Sequence, residues 1–166
     1  MQKTSGTSLP STHMLFVDLD GVLVDFDRGV KEVTGKLPHE LSPREMWPRL
    51  AKSGDFYNRL HWMPDGRQLW DELKHMNPVI LTGLPMGNWA EAQKRSWCAR
   101  ELGEDVEVIT CMSREKAKKA RERAGTRIPV LIDDRLRLKE AWEEMGGIFI
   151  HHTDAVKSLR QLGEKT

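Results

Sequence analysis

Five short apolar runs recur along the chain, and their spacing constrains its fold more than any other feature of the sequence. Each run is almost continuously apolar instead of alternating, and together they cover residues 14–20, 78–83, 106–110, 129–134 and 147–152. Strands without alternation are typical of a parallel sheet whose two faces are both covered. We therefore predict an α/β fold, a doubly wound, Rossmann-like parallel sheet of about five strands with helices on both faces.

Helices are predicted between these strands and near the end of the chain, where apolar residues recur at helical spacing. The predicted helices cover residues 65–76, 88–102, 113–124, 135–145 and 154–162. Asn88 and Ser113 are the expected N-caps of the second and third, because their side chains can accept a hydrogen bond from a free backbone N–H. Gly103 and Gly125 follow the same two helices, as glycine commonly does at a helix end.

The composition is that of one globular domain and excludes several classes of protein. The chain has 166 residues, of which 39% are hydrophobic, and a domain usually has about 100–200 residues. No apolar run approaches the roughly 18–20 residues that a membrane-spanning helix needs. The 26 basic and 25 acidic side chains leave a net charge of +1, so there is no strong signal for nucleic-acid binding. Two cysteines and an opening segment unlike a secretory signal predict a cytoplasmic protein.

The interval between the first predicted strand and the predicted helix at 65–76 is too long for a simple crossover connection. It covers residues 22–64 and contains two further predicted helices, at 27–34 and 43–52. A long insertion at the carboxyl end of a strand is often functional, for example as a lid; a surface loop whose aromatic residues pack on one another is the alternative. The predicted organisation is a disordered lead-in (1–13), an α/β core (14–25 and 63–166) and a small helical cap (26–62).

Acidic side chains gather at the carboxyl ends of two predicted strands, which is where open α/β sheets bind ligands. Asp18 and Asp20 end the first strand and are expected on the same face, since side chains alternate along a strand. Asp133 and Asp134 end the fourth strand. Carboxylates this close repel one another unless a cation or a proton intervenes. A set of oxygen ligands suits Mg²⁺; carboxylates that cap the following helices are the alternative.

Three more residues at neighbouring strand ends have the chemistry of a phosphate site. Lys116 lies in the first turn of its predicted helix, where the helix dipole disfavours a cation, so a nearby anion is expected. Thr82 offers a hydroxyl and Gly83 an unobstructed backbone N–H, and both suit a phosphate oxygen. Taken alone, Thr82 is better explained as a β-branched strand residue. Its position in this series of strand ends is what favours a role in binding.

These residues, in this order, resemble the four motifs of the haloacid dehalogenase (HAD) superfamily of phosphatases. The motifs stand here as Asp-Leu-Asp-Gly at 18–21, Thr82, Lys116 and the acidic pair at 133–134. The resemblance covers residues 14–162. Within the superfamily the chain is most similar to the 5′(3′)-deoxyribonucleotidases, through the segments DLDGVLVDF, DFYNRLHWMPDG, SREK and LIDDR. The inserted interval falls where one class of the superfamily carries its cap domain.

The resemblance implies a phosphomonoesterase, and in particular a 5′-nucleotidase that acts on (deoxy)nucleoside monophosphates. Asp18 is then the nucleophile that forms an aspartyl-phosphate, and Asp20 is the general acid and base. Lys116, Thr82 and Gly83 are then the groups that bind the phosphate oxygens.

The resemblance also implies a Mg²⁺ cofactor and its ligands. These are Asp18, the backbone carbonyl of Asp20, and Asp134. Asp133 is expected close to the ion, either as a further ligand or beside one. Mg²⁺ in such a site lets a carboxylate approach an anionic phosphate.

The predicted substrate contacts lie in the cap and just after the fourth strand. Phe26 and Trp47 could stack on a nucleobase, and packing within the cap is the alternative. Arg135 could reach the substrate, or it is an ordinary surface arginine. The expected partner is a small phosphate ester, a nucleotide above others, with no membrane; a homodimer is left open. The alternative functions are a phosphatase of another small phosphate ester or of a nucleic-acid end, and a HAD-fold binding module without catalysis.

Overall fold

A computed structural model of the chain describes residues 8–166, which include a five-stranded parallel sheet flanked by helices. The strands are β1 (His13–Val17), β2 (Val79–Gly83), β3 (Val108–Cys111), β4 (Ile128–Asp133) and β5 (Ile148–His151). They lie in the order β3-β2-β1-β4-β5, and every neighbouring pair is parallel. The predicted fold class is confirmed, and the strand ends differ from the predicted ones by at most three residues.

The α-helices of the described residues cover both faces of this sheet. In chain order they are α1 (Phe26–Thr34), α2 (Pro43–Lys52), α3 (Gly66–Leu73), α4 (Glu91–Glu101), α5 (Lys116–Ala124), α6 (Lys139–Glu144) and α7 (Ala155–Lys165). Leu15 and Val17 of β1 pack on one face in a cluster with α3, α4 and α7, while Met14 and Phe16 pack on the other with α5 and α6. Both faces of the sheet are therefore covered by apolar side chains, which explains why the strands are almost continuously apolar.

The inserted segment is helical and packs into the main hydrophobic cluster. Asp25 caps α1 by accepting a hydrogen bond from the Arg28 N–H, and Ser42 caps α2 in the same way. Leu50, Phe56 and Tyr57 of this segment belong to the cluster that also contains α3 and α4. The two helices predicted here are thus present, each within one residue of its predicted bounds.

Two predicted helix caps are wrong. α4 begins at Glu91 without a side-chain cap, three residues beyond Asn88, because the loop before it places the Trp89 ring on Tyr57, 5.4 Å between ring centres. Ser113 starts a single 3-10 turn (Ser113–Glu115), and α5 begins only after it, also without a side-chain cap. Neither side chain therefore satisfies a helix N–H.

The first strand ends earlier than predicted because the chain turns sharply after Asp18. The backbone N–H groups of Val22, Leu23 and Val24 all donate to the carbonyl of Leu19. Asp20 therefore lies beyond the strand, in this turn, where it forms an isolated bridge to Val24, so the strand alternation used to place it on the same face as Asp18 does not apply.

The start of the described chain is paired with the sheet. His13, which was predicted to lie in a disordered lead-in, belongs to β1, and Thr12 accepts a hydrogen bond from the Ile128 N–H. Residues 1–7 of the predicted lead-in lie outside the described residues. In the described part of the chain, none of the helices has the length and apolar character that a membrane span requires.

Candidate functional site

A buried lysine joins two buried aspartates at the carboxyl edge of the sheet. Lys116 Nζ, at the start of α5, lies 3.1 Å from Asp18 Oδ1 and 2.8 Å from Asp133 Oδ2. Burial acts to lower the pKa of Lys116, but the charges of Asp18 and Asp133 and the hydrogen bonds to them outweigh it and raise this pKa. Lys116 is therefore a cation, and these two carboxylates are the anion expected beside it.

Asp134 completes a cluster of three carboxylates. Asp18, Asp133 and Asp134 each offer one oxygen, and these oxygens lie within 4.8 Å of one another. Asp133 is fully engaged, because its Oδ1 also accepts a hydrogen bond of 2.9 Å from the Arg135 N–H. Asp134 Oδ1, by contrast, is buried without a hydrogen-bond partner among the described residues. An unsatisfied buried carboxylate oxygen is costly unless a proton or a cation meets it.

The cluster contains more negative than positive charge, and the pKa values of Asp133 and Asp134 are raised. Burial, together with the charge of Asp18, raises the pKa of Asp133 to about 6 and that of Asp134 to about 7. Lys116 is the ammonium group that contacts the cluster, and it touches Asp18 and Asp133 but not Asp134. The electrostatics of Asp18, Asp133 and Asp134 therefore favour a further cation at Asp134.

The glycine of Asp-Leu-Asp-Gly is required by this cluster. Gly21 has a φ of +80°, and a Cβ atom at this position would overlap Asp134 Oδ2. A side chain would both strain the backbone and displace the carboxylate. Gly21 thus lets the turn after β1 approach the end of β4.

Asp20 belongs to a second polar cluster, centred on a lysine that the sequence analysis missed. Lys94 Nζ, from α4, lies 2.9 Å from Asp20 Oδ2, 2.9 Å from Thr82 Oγ1 and 2.6 Å from the carbonyl of Gly83. Its ammonium also sits 4.5 Å from the centre of the Tyr57 ring, a favourable cation–π arrangement. The Asp20 carboxylate does not belong to the three-carboxylate cluster, and metal binding by its backbone carbonyl stays a prediction.

The helix pattern contained a signal for Lys94. Ala90, Lys94, Trp97 and Cys98 share one buried stripe at helical spacing. A lysine within such an apolar stripe must bury its ammonium group, and a buried ammonium needs acidic or polar partners. Asp20 is that partner.

Thr82 and Gly83 lie at the end of β2, within the Lys94 cluster. Thr82 is fully buried, and its Oγ1 accepts the hydrogen bond from Lys94, so its hydroxyl hydrogen remains available to donate. Gly83 is so close to the 3-10 turn before α5 that a Cβ atom on it would overlap Ser113 Oγ. A role for either residue in phosphate binding stays a prediction.

A small cavity opens from Asp20 toward the inserted helices. Its volume is about 250 Å³, and Phe26, Trp47, Tyr57 and Arg135 are among the residues that line it. The Phe26 ring lies 5.8 Å from the Trp47 ring and 6.2 Å from the Tyr57 ring. Phe26 and Trp47 therefore pack within the aromatic cluster, as one alternative expected, and also line a cavity beside Asp20.

Arg135 is exposed and lies between the cavity and the end of β3. Its Nη1 is 3.4 Å from Ser113 Oγ. A larger cavity, of about 830 Å³, lies at the opposite edge of the sheet around the amino ends of β1 and β2, and none of the predicted site residues lines it. The predicted site residues thus lie at the carboxyl edge of the sheet and not around this larger cavity.

Comparisons with known proteins relate the chain to others through its fold. No family model matches the sequence, and no curated protein matches it. A solved structure of a hydrolase from Streptococcus pneumoniae TIGR4 is 16% identical, with a TM-score of 0.57 over 92% of this chain and 98% of its own. A protein assigned as a haloacid dehalogenase-like hydrolase, from Burkholderia xenovorans LB400, is 15% identical, with a TM-score of 0.56 over 84% of this chain and 80% of its own. At these identities the likeness establishes a shared fold.

Proposed function

We propose that this chain is a HAD-type phosphatase, a Mg²⁺-dependent phosphomonoesterase that acts through an aspartyl-phosphate. The observation that carries this proposal is the buried Asp134 Oδ1, which belongs to a cluster of three carboxylates and has no hydrogen-bond partner among residues 8–166. Hard oxygen ligands and uncompensated negative charge fit a small divalent cation. The shared fold with a hydrolase and a haloacid dehalogenase-like hydrolase supports the same reading.

The residues present fit a Mg²⁺ site. Asp18 and Asp134 would hold the ion, together with the backbone carbonyl of Asp20. Asp133 is the weaker ligand candidate, because Lys116 and the Arg135 N–H already engage its two oxygens. Bound Mg²⁺ supplies the positive charge that lets a carboxylate approach an anionic phosphate.

In the first step the Asp18 carboxylate attacks the phosphorus atom. A bond forms between the Asp18 oxygen and phosphorus while the bond from phosphorus to the ester oxygen breaks. Asp20, in its acid form, donates its proton to the departing oxygen, so an alcohol leaves. Lys94 donates to Asp20 Oδ2, which leaves Oδ1 to carry that proton.

In the second step a water molecule attacks the phosphorus of the aspartyl-phosphate. Asp20 is now a carboxylate and takes a proton from the water, while the bond between phosphorus and the Asp18 oxygen breaks. Inorganic phosphate leaves, and both aspartates return to their starting forms. The Lys116 ammonium, the Thr82 hydroxyl and the Gly83 N–H stabilise the oxygens on which charge spreads in the transition state.

The substrate class within this proposal is a (deoxy)nucleoside monophosphate. The cavity beside Asp20 is where a leaving group would lie, and its walls include the rings of Phe26, Trp47 and Tyr57. Stacked bases gain about 1–3 kcal/mol on such rings. Arg135 is the cation on the wall of this cavity and would meet an anionic substrate there.

A panel of substrates tests the reaction and the substrate class together. Phosphate release is measured from nucleoside monophosphates, sugar phosphates and phosphorylated oligonucleotides, each with Mg²⁺ and with EDTA. We expect release that depends on Mg²⁺ and is fastest with nucleoside monophosphates. Fast release from sugar phosphates or oligonucleotide ends would keep the reaction and replace the substrate class. No release from any of them by a folded chain that binds Mg²⁺ would overturn the phosphatase proposal in favour of a binding module.

A further inference from the structure

A second groove lies beside the candidate site, between the beginnings of α5 and α6. Its volume is about 380 Å³. Ser113, Arg114 and Ala117 lie on the α5 side, and Arg137 and Leu138 lie on the α6 side. A groove of this volume, with apolar floor and polar rim, has the size and make-up of a site for a small ligand.

Two guanidinium groups border the groove without acidic partners. Arg114 and Arg137 are both exposed, and within residues 8–166 neither forms an ion pair, in contrast to Arg95 and Arg123, which pair with glutamates. Arginine binds phosphate through parallel N–H donors. Two unpaired guanidinium groups match the double negative charge of one terminal phosphate.

The floor of the groove is apolar and firmly held. Ala117, Leu138 and Ala141 lie along it, above the buried Trp142. The Trp142 Nε1–H donates to the carbonyl of Pro129 at 3.1 Å, which fixes the ring beneath the groove. A ligand would therefore present an anionic group to the rim and a small uncharged body to the floor.

The groove and the cavity beside Asp20 have one lining residue in common, Ser113. The Arg135 side chain, which lines the cavity, has its Nη1 at 3.4 Å from Ser113 Oγ. Lys116 also lines the groove, while its ammonium group contacts Asp18. The groove therefore lies next to the candidate site, one side chain away from Asp18 through Lys116 and from the cavity through Ser113.

We propose that this groove binds a second phosphate group of the substrate, and that the preferred substrates are small bisphosphorylated molecules such as nucleoside 3′,5′-bisphosphates. One phosphate reacts at Asp18, and the other lies between Arg114 and Arg137. A monophosphate leaves the groove unused. This inference rests on the proposed phosphatase function and narrows its substrate class from nucleoside monophosphates to nucleotides that carry a second phosphate group.

Steady-state kinetics with matched substrates tests the groove. A nucleoside 3′,5′-bisphosphate is compared with the corresponding 5′- and 3′-monophosphates, with Mg²⁺ saturating. We expect a KM about tenfold lower for the bisphosphate, as a charge-assisted contact of this kind provides. Arg137→Gln should raise the KM of the bisphosphate about tenfold and leave kcat and both monophosphate KM values unchanged. Arg127→Gln is the matched control, since Arg127 is also exposed and has no ion-pair partner in the described part of the chain, but lines the cavity at the opposite edge.

Three kinetic results would overturn the inference. The first is an equal KM for bisphosphate and monophosphates in the unaltered chain. The second is a rise in the KM of all three substrates in Arg137→Gln, which would make Arg137 a general phosphate contact. The third is a preference for a 5′-phosphorylated dinucleotide over the bisphosphate, which would assign the groove to a nucleic-acid strand.

Calorimetric binding separates this inference from the proposed function. The Asp18→Asn variant, with Mg²⁺ present, is titrated with the bisphosphate and with each monophosphate. Tighter binding of the bisphosphate, lost in Asp18→Asn/Arg137→Gln, supports the groove even if the unaltered chain releases no phosphate. Equal binding of all three ligands overturns the groove even if the chain proves to be a phosphatase.

Discussion

Lys94 Nζ and Asp20 Oδ2 lie 2.9 Å apart, and they join a fully buried cation to a carboxylate that is 23% exposed. The buried member cannot move without losing its contacts to Thr82 and Gly83. The Asp20 carboxylate, which is partly exposed, faces the cavity between the sheet and the inserted helices. Lys94 therefore acts as a positioning residue, because it holds the carboxylate of Asp20 in one orientation toward that cavity.

Replacement of Lys94 by methionine tests this positioning. Lys94→Met keeps the bulk of the side chain but removes the cation, so Asp20 loses its anchor and Thr82 loses a donor. We expect kcat to fall about tenfold or more, within the roughly 10²–10⁴-fold that general acid–base catalysis contributes. The free energy of unfolding should fall by about 1–3 kcal/mol, the cost of an unsatisfied buried acceptor. Lys118→Met, on the exposed side of α5, is the control; an unaltered kcat in folded Lys94→Met would show a purely structural lysine.

Replacement of Asp18 by asparagine tests the nucleophile. The amide cannot form an aspartyl-phosphate, and Lys116 retains its ion pair with Asp133. We therefore expect a loss of at least about a thousandfold in kcat with a cooperative unfolding transition like that of the unaltered chain. Asp25→Asn, which changes the N-cap of α1, is the control for charge. Substantial turnover by Asp18→Asn would refute the assigned nucleophile.

A pair of glycine variants separates backbone strain from crowding at the acidic cluster. Gly21 and Gly35 have φ values of +80° and +77°, but a Cβ on Gly35 meets nothing within 4 Å. Gly35→Ala should therefore lower the free energy of unfolding only by the cost of a left-handed alanine, about 1–2 kcal/mol. Gly21→Ala should lose more stability and also bind Mg²⁺ more weakly, because its Cβ displaces Asp134. Denaturation and Mg²⁺ titration give the two readouts; equal effects of both variants would mean that Gly21 does not support Asp134.

The raised pKa of Asp134 predicts that the metal-free chain loses stability as the pH rises. Burial and the charge of Asp18 raise this pKa from its ordinary value of 3.8 to about 7, so the folded chain binds more protons than the unfolded chain between those values. The free energy of unfolding should therefore fall across this window, by up to about 1.4 kcal/mol per pH unit.

The free energy of unfolding is measured by denaturation in EDTA at about pH 5, 6, 7 and 8. The unaltered chain and Asp134→Asn are compared at each pH. Burial lowers the pKa of His152. Just below the ordinary pKa of histidine, this residue therefore makes the free energy of unfolding rise with pH. The variant shares His152, so the contribution of His152 cancels in the difference between the two chains. We expect Asp134→Asn to gain stability relative to the unaltered chain as the pH rises; a difference independent of pH would contradict the prediction.

Loss of an aromatic ring beside Asp20 should change substrate preference. Phe26→Ala and Trp47→Ala each remove a ring that lines the cavity, so the substrates that stack on it should lose about 1–3 kcal/mol of binding. The ratio of kcat/KM between nucleoside and sugar phosphates should fall, with the Mg²⁺ dependence unchanged. Trp62→Leu is the control, since Trp62 packs on Trp97 of α4 and does not line this cavity. An equal loss with every substrate would mean that Phe26 and Trp47 serve packing alone.

Local patterns along the chain were enough to predict the architecture. The continuously apolar runs and the helical stripes depend on neighbours within one element, so the five strands and the two inserted helices could be predicted within a few residues. The gathering of Asp18, Asp133 and Asp134 at one edge of the sheet could also be predicted, because the ends of adjacent parallel strands lie side by side. Helix starts at Asn88 and Ser113 were wrong, since the loops before α4 and α5 follow the packing at the site and not the nearest capping residue.

The pairing of charges was decided by tertiary packing. Lys94 and Asp20 are 74 residues apart in sequence, and Lys116 and Asp18 are 98 apart. Spacing cannot show which lysine meets which carboxylate, because that depends on how α4 and α5 lie against the ends of β1 and β2. The separation of Asp20 from the acidic cluster has the same origin, in the turn that carries it out of the strand. The residue types that gather at the carboxyl edge were thus readable from the chain, while their division into two clusters, each closed by its own buried lysine, arises only when distant segments pack together.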